Sequence, residues 1–315
     1  MLEATVWVER EQPVDAAPEK VWELVGSMAA LSAMPDRFAF DVPGPVAGTD
    51  RLCCLLVGTR NMHCAVLDVR DEVPGQAICW QTRNTQPTGR QLVRLSVLPR
   101  SAGSAIHVAV SDVVQRTTKG QYERFWRSHL EAWTGRLQGI AEDRMPWPSA
   151  TMPAEMQEAA AVRPPLERPV QVSAEVLIKA AVPDVWEAVW AAESVRVIDP
   201  EHVACAGHVP GTPEQEIGEM QYMVRRHAGD RFTAAVHVVR ELTKERQAVT
   251  QHLGPPHDEV VHTITPAQGG TQLELVCRWS ADTYRNDRKK KDSVARNLRA
   301  MAEGYRAMVG SPGAP

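Results

Sequence analysis

Apolar residues between positions 126 and 140 recur at spacings of four, three, four and three. This spacing puts them on one face of an α-helix, so it predicts a long amphipathic helix with one buried side. The same pattern returns near the end of the chain at a constant offset. The two sets are Trp126, Leu130, Trp133, Leu137 and Ile140, and Val294, Leu298, Met301, Tyr305 and Met308. The chain therefore contains two copies of one helical element.

Two further segments repeat in the same order. Pro18–Val25 and Pro183–Val189 each begin with a proline and an acidic residue and contain a Val-Trp pair. Proline and an acidic residue suit the first helical turn, where the missing amide would be unpaired anyway. Pro99–Val108 and Pro266–Leu275 have glycine at the centre and alternating apolar residues beyond it, which predicts a hairpin between two strands. The ordered matches indicate a duplicated domain.

Each copy shows the same succession of predicted elements: a strand, a helix, a short helical stretch, about six strands and a long helix. Consecutive strands with tight turns favour an antiparallel sheet. A curved sheet wrapped around the final helix buries the apolar stripe of that helix. The predicted fold class is therefore α+β, with two domains that each have a curved antiparallel sheet of about seven strands around a long C-terminal helix.

The stretch between the copies is rich in proline. Residues 143–169 contain six prolines, which argue against a sheet element and favour a semi-rigid linker. The alanine-rich piece Ala154–Val162 has room for one or two helical turns. We therefore predict one domain at residues 1–142 and another at residues 170–310. Each is large enough to bury a core, in keeping with the apolar content of 43%.

Composition narrows the classes of partner. The formal charge of −4 gives no electrostatic reason to expect nucleic acid, and no stretch approaches the ~18 apolar residues of a membrane span. The N-terminus lacks the features of a signal peptide, and the six cysteines show no Cys-x-x-Cys spacing. We expect a cytoplasmic protein without metal or cofactor.

His202, Cys205 and His208 approach zinc-ligand spacing, but no second cluster follows. The sequence leaves the oligomeric state open.

The element order, the opening motif at Pro18–Trp22 and the proline-to-glycine hairpin resemble the SRPBCC superfamily, which includes START, Bet v 1 and polyketide cyclase proteins. This resemblance implies a helix-grip fold with a deep, mostly apolar cavity between the sheet and the long helix. Two such domains in 315 residues are similar to the di-domain aromatase/cyclases of bacterial aromatic polyketide pathways. The N-terminal copy, through the segment Trp126–Trp133, also resembles the Aha1-like branch.

The resemblance implies a protein that binds a hydrophobic small molecule, such as a polyketide-type intermediate, and promotes its cyclisation, aromatisation or dehydration. Such chemistry needs a shaped cavity, one acid or base and a few polar groups, so it requires no conspicuous motif. Two alternatives stay open. One is a non-catalytic carrier or sensor of an apolar ligand, and the other is an Aha1-like interaction module whose cavities are filled by side chains.

Two residues are candidates for catalysis. His262 lies between Val260 and Ile264 on the strand face predicted to line the cavity, where the first copy has Leu95. An imidazole can act there as general acid or base because its unperturbed pKa is about 6.5. Tyr222 offers a hydroxyl to a ligand carbonyl. The alternative for both is structural, a core histidine bonded to a neighbour and a packed tyrosine ring.

Six further side chains are predicted to contact the ligand. They are Trp279, Cys277 and Gln251 in the second copy, and Trp80, His63 and Asp112 in the first. Trp279 offers a flat aromatic surface, although tryptophan also serves as ordinary core filling. Asp112 interrupts an apolar face, where burial would demand a partner or a raised pKa. Its alternative place is a strand end or the cavity mouth.

Overall fold

The chain folds into two units that divide near residue 153, here called the N-terminal and the C-terminal unit. The computed structural model describes residues 3–42, 51–58, 62–83, 91–228, 231–281, 283–284 and 287–310. Within these ranges no helix has the length and apolar character needed to span a membrane. Each unit is described separately below.

The N-terminal unit is a seven-stranded antiparallel sheet with three helices. Its sheet has the strand order β1-β7-β6-β5-β4-β3-β2, so the first and last strands of the sequence are neighbours. The elements are β1 (Glu3–Val14), α1 (Pro18–Val25), α2 (Met28–Ser32), β2 (Arg37–Asp41), β3 (Leu52–Val57), β4 (His63–Val73), β5 (Ala77–Thr82), β6 (Leu92–Pro99), β7 (Ser104–Gln115) and α3 (Lys119–Ala141).

The C-terminal unit repeats this topology with the order β8-β14-β13-β12-β11-β10-β9. Its elements are α4 (Ala154–Ala161), β8 (Pro169–Ile178), α5 (Val182–Trp190), α6 (Ser194–Ile198), β9 (Val203–His208), β10 (Met220–His227), β11 (Arg231–Thr243), β12 (Gln247–His252), β13 (Glu259–Ala267), β14 (Gly270–Ser280) and α7 (Asp287–Gly310). The fold class predicted from the sequence is confirmed. Both units have the helix-grip architecture.

The long helices bury the stripes that the sequence predicted. In α3 the whole stripe is buried, and Trp133 and Leu137 are fully inaccessible to solvent. In α7, Leu298 and Tyr305 are buried and the other stripe residues are partly buried against the same core. Because each helix lies across the first and last strands of its sheet, the stripe closes the concave side of that sheet.

The second half of the proline-rich stretch packs on the C-terminal unit. The guanidinium of Arg240, in β11, donates to the carbonyl oxygens of Ala160 (2.7 Å) and Val162 (3.0 Å). Gln251, in β12, donates to the carbonyl oxygen of Pro164 at 3.1 Å. Residues 154–165, called the cap segment below, therefore cover part of the outer face of this sheet.

Glycine sets the close approach of the last hairpin to the first strand in both units. Gly103 (φ +74°) and Gly270 (φ +150°) occupy the same place in the two β-hairpins, and a Cβ at either position would collide with a backbone carbonyl of the first strand, that of Val14 or Ile178. Gly269 also has positive φ (+87°) but faces open space. Glycine is thus required at 103 and 270 for space as well as for conformation.

We expect Gly270→Ala to lower the free energy of unfolding of the C-terminal unit by about 3 kcal/mol or more, because the added methyl group forces β14 away from β8. Gly269→Ala is the matched control, and it should cost only the left-handed penalty of about 1 kcal/mol. Urea denaturation followed by circular dichroism measures both. Equal losses in the two variants would contradict the steric explanation.

Candidate functional site

The C-terminal unit contains a cavity between its sheet, its short helices and α7. The cavity is open to solvent and has a volume of about 130 Å³. Most of its wall is apolar. The polar or hydrogen-bonding side chains in the wall are those of Asp199, Gln221, Tyr222, Arg225, His237, Thr250, His262 and Tyr305.

Two large residues of the N-terminal unit are replaced at the equivalent places of this cavity. Trp80 in β5 pairs with Val93 of the neighbouring strand β6. Thr250 in β12 pairs in the same register with Val260 of β13. Trp133 in α3 corresponds to Met301 in α7, at the offset that relates the two helical stripes. Thr250 and Met301 line the cavity. The C-terminal unit is therefore open where the N-terminal unit is filled by two indoles.

The filled state of the N-terminal unit is fixed by a hydrogen bond as well as by volume. Trp80 and Trp133 are both fully buried in its core. The indole Nε1 of Trp133 donates to the carbonyl oxygen of Ala30, in the middle of α2, at 2.7 Å. This bond holds the ring across the space that corresponds to the cavity of the C-terminal unit.

Two leucines of the first core are histidines in the second. Leu95 and Leu67 are buried on the concave face of the first sheet, and the same registers in the second sheet hold His262 and His237. Burial lowers the pKa of His262 to about 4. Burial, together with the nearby charges of His252, Arg225 and His262, lowers the pKa of His237 to about 3. Both imidazoles are therefore neutral near pH 7.

Arg225 brings a positive charge to the same wall. It lies on β10, and within the described ranges its Nε is buried and makes no hydrogen bond. A guanidinium with a buried, unbonded Nε favours a negative charge in its neighbourhood. The wall also contains one carboxylate, that of Asp199, which is in contact with His202. The cavity thus combines neutral imidazoles with the cation of Arg225, an arrangement suited to an anionic or strongly polarised oxygen of a ligand.

Tyr222 reaches the cavity because the neighbouring strand has no side chain in its way. Its ring packs over Gly207 of β9, where a Cβ would come within 3.0 Å of the tyrosine oxygen. The ring is almost wholly buried and lines the cavity. The two residues that the sequence suggested for catalysis, His262 and Tyr222, therefore share one wall, whereas their catalytic role stays a prediction.

The other predicted ligand contacts of the second copy lie elsewhere. Trp279 is a fully buried core residue in edge contact with Tyr284, with ring centroids 6.4 Å apart. Cys277 is also a core residue, and burial raises its pKa to about 12. Gln251 lies on the outer face of β12, beneath the cap segment, because its neighbour Thr250 takes the inward position. None of the three lines the cavity, which corrects their placement.

The predicted contacts of the first copy also have other surroundings. Trp80 is core filling, and His63 is exposed at the start of β4, so neither lines a ligand cavity. Asp112 is buried and accepts hydrogen bonds from the Tyr122 hydroxyl and from the Val113 amide (2.7 Å). Burial raises the pKa of Asp112, although both hydrogen bonds oppose the change. Asp112 thus has a partner and a raised pKa, as burial demanded.

Sequence reasoning missed His237 and Arg225. His237 was detectable in principle, since aligning the two copies through the bulge that follows Val69 in β4 and Val239 in β11 places it opposite Leu67. A polar residue at a core position of the sister copy is a usable signal. Arg225 gave no such signal, because the sequence match between the two copies did not extend to β10.

The three residues with zinc-like spacing have other contacts. His202 Nδ1 lies 2.8 Å from Asp199 Oδ1, and Cys205 is buried in β9. His208 Nδ1 lies 2.7 Å from Oε1 of Glu219, which is fully buried. The neighbouring carboxylate of Glu219 raises the pKa of His208, in opposition to burial. Among the described residues no group of acidic, histidine and cysteine side chains has a geometry that could hold a metal ion.

Comparison with known proteins gives similarity in structure but not in sequence. No protein-family model and no curated protein matches the chain. The di-domain aromatase/cyclase BexL, from the BE-7585A biosynthetic pathway, is 14% identical with a TM-score of 0.38, over 99% of this chain and 100% of BexL. The di-domain aromatase/cyclase StfQ, from the steffimycin biosynthetic pathway, is 14% identical with a TM-score of 0.37. The match covers 98% of this chain and 97% of StfQ. Zhui aromatase/cyclase, from a Streptomyces species, is 17% identical with a TM-score of 0.38. The match covers 45% of this chain and 96% of Zhui.

We expect Met301→Trp to close the cavity, because it restores the indole that fills the N-terminal unit. Uptake of an apolar fluorescent probe should fall to the level of buffer, with little loss of stability. The reciprocal variant, Trp133→Met, should cost about 3 kcal/mol of unfolding free energy, through lost volume and the lost bond to Ala30. Undiminished probe uptake by Met301→Trp would show that the probe binds elsewhere.

The stability of the C-terminal unit should depend on pH through His208. An unfolded histidine titrates near pH 6.5, and the folded pKa is higher. The stabilisation is therefore complete below about pH 6.5 and is lost as the pH rises through the folded value. His208→Gln should remove this loss, because an amide can donate to Glu219 without titrating, whereas His202→Gln should retain it. Denaturation at pH 6 to 9 gives the difference in unfolding free energy between the unmodified protein and His208→Gln, in which the pH dependence contributed by His262 and His237 cancels. A difference that does not fall as the pH rises would refute the assignment.

Proposed function

We propose that the C-terminal unit binds an apolar small molecule with ketone or enolate oxygens, a polyketide-type intermediate, and promotes its cyclisation with loss of water. The observation that carries the proposal is the combination, in one apolar cavity, of two neutral imidazoles and an unpaired guanidinium. The similarity of the whole chain to structures named as aromatase/cyclases agrees with the proposal but does not carry it.

The size of the cavity limits which part of a ligand it encloses. The cavity volume of about 130 Å³ is close to that of an apolar cavity of ~150 Å³ that binds benzene. It therefore suits a single six-membered ring. The remainder of a longer chain would extend through the open mouth of the cavity.

The polar residues have distinct roles in this proposal. His262 acts as the base, because a neutral imidazole accepts a proton from a carbon that lies between two ketones. Arg225 stabilises the oxygen that becomes negative when this proton leaves, since a preoriented charge in a dry site is effective at that task. Tyr222 donates a hydrogen bond to a second carbonyl and orients it for attack.

The reaction balances without an external reagent. The imidazole takes the proton, the carbanion forms a carbon–carbon bond to a second carbonyl carbon, and that oxygen becomes an alkoxide. The imidazolium returns its proton to the alkoxide. Loss of a second α-proton and of hydroxide then releases one water and forms a carbon–carbon double bond. The low pKa of His262 is compatible with this role, because the enolate formed beside the imidazolium stabilises the imidazolium.

A non-catalytic carrier is the second candidate, and the N-terminal unit gives it a specific argument. In that unit Trp80 and Trp133 are fully buried in the core, at the places where Thr250 and Met301 line the cavity of the C-terminal unit. The N-terminal unit fits the description of an interaction module with a filled core. In a carrier, the same histidines and Arg225 would only hold the ligand.

We expect the intact protein to change the products that a reactive poly-β-ketone forms spontaneously. His262→Phe keeps the size of the ring but removes the base, so the rate of the directed product should fall by roughly 100-fold with binding retained. Arg225→Met should weaken binding roughly 10- to 100-fold through loss of a charge-assisted contact. Liquid chromatography measures the products and calorimetry the affinity.

Arg226→Met is the control for Arg225→Met, because Arg226 is adjacent in β10 but does not line the cavity. It should leave products and affinity unchanged. Binding without any change of products relative to the spontaneous reaction would establish the carrier and refute the cyclase. Absence of binding would refute both.

A further inference from the structure

The outer face of the second sheet shows how this fold holds a covering segment. Arg240 donates to two carbonyl oxygens of the cap segment, and Gln251 donates to a third. In return, Arg163 of the cap segment pairs with Glu241 (2.5 Å) and with Glu259 (2.8 Å) of the sheet. One arginine, one glutamine and two carboxylates of the sheet thus make the attachment.

Three of these four anchors recur in the N-terminal unit. The bulge in β4 falls between Val69 and Asp71, as the bulge in β11 falls between Val239 and Glu241. Arg70 therefore occupies the place of Arg240, and Asp71 the place of Glu241. Gln81 in β5 occupies the place of Gln251, in equivalent register. Only Glu259 changes in type, to Leu92.

These anchors have no cap segment among the described residues of the N-terminal unit. Arg70 and Asp71 line an outer groove of about 330 Å³, together with Trp7, whose side chain is 58% exposed. No carboxylate of the described chain pairs with Arg70. Asp71 meets Arg94 only at 3.9 Å, with both side chains largely exposed. Gln81 is only 8% exposed. Arg70 and Asp71 are therefore the two anchors that a partner can reach.

We propose that this groove docks a segment of a partner protein with the chemistry of the chain's own cap: a short helix that ends in an extended, proline-containing coil with one basic residue. The chain supplies a single cap segment for two equivalent faces, and that segment is attached to its own unit. Carbonyl oxygens at the end of the helix meet Arg70, and the basic residue meets Asp71. Apolar side chains cover Trp7 and Leu92.

The chemistry at the groove selects this occupant over a strand or an acidic tail. In the sister unit, Arg240 binds the carbonyl oxygens of Ala160 and Val162 at the end of α4, where a helix leaves its last carbonyls unpaired. A strand added to a sheet would use an edge, whereas the groove lies on a face. A uniformly acidic segment would leave Asp71 without the basic partner that Glu241 has in the sister unit, although Arg70 and Arg94 also line the groove.

The test uses a synthetic peptide of residues 152–166 of this chain, labelled at its N-terminus, and the intact protein. The tethered cap segment excludes the peptide from the C-terminal unit through its high effective concentration. We expect one equivalent to bind with a Kd below about 1 mM. Arg70→Ala should weaken binding at least tenfold, and the peptide with Arg163→Glu should bind more weakly to the unmodified protein. Fluorescence anisotropy measures each affinity.

Arg100→Ala is the matched control, because Arg100 is an exposed arginine of the same unit that pairs with Glu11 outside the groove. It should bind the peptide as the unmodified protein does. No binding at 1 mM, or binding that is indifferent to Arg70→Ala, overturns the proposal. Self-association that is lost in Trp7→Ser, without peptide binding, would assign the groove to a second copy of the chain and would likewise overturn it.

Discussion

The burial of each terminal helix in the concave face of its own sheet is the interaction on which both units depend. A sheet with one apolar face is stable only when that face is covered, and α3 and α7 each supply a continuous apolar stripe for it. Complete burial of one leucine or tryptophan of the stripe contributes about 2 to 3 kcal/mol. The same closure fixes the backbone frame, so the sizes of the side chains at a few inward positions decide how much space is left.

The two units diverge at those inward positions rather than in their topology. Where the N-terminal unit has Trp80 and Trp133, the C-terminal unit has Thr250 and Met301, and a cavity follows. Their outer faces also differ, since the cap segment packs on the second sheet, whereas Arg70 and Asp71 of the first sheet line an open groove. One unit is thus open on its concave side, and the other is filled there by two indoles.

Histidines of the C-terminal unit show that environment, more than residue type, sets their charge. His262 and His237 lie in an apolar wall, where the charged form loses its solvation, so their pKa values fall. His208 meets the buried carboxylate of Glu219, and its pKa rises. At neutral pH the cavity therefore holds neutral imidazoles beside the cation of Arg225, an electrostatic pattern that none of these residues produces alone.

The sequence by itself determined the duplication, the two helical stripes, the glycine hairpins and the inward position of His262, because periodicity and alternation report which residues share a face. The sequence did not determine which unit has a cavity or which side chains line it. Gln251 was expected in a cavity and lies under the cap segment, and Trp279 is core filling. A cavity is the volume left over by side chains from several strands and a helix together, so only the tertiary structure decided that Thr250, Met301, Arg225 and His237 surround one.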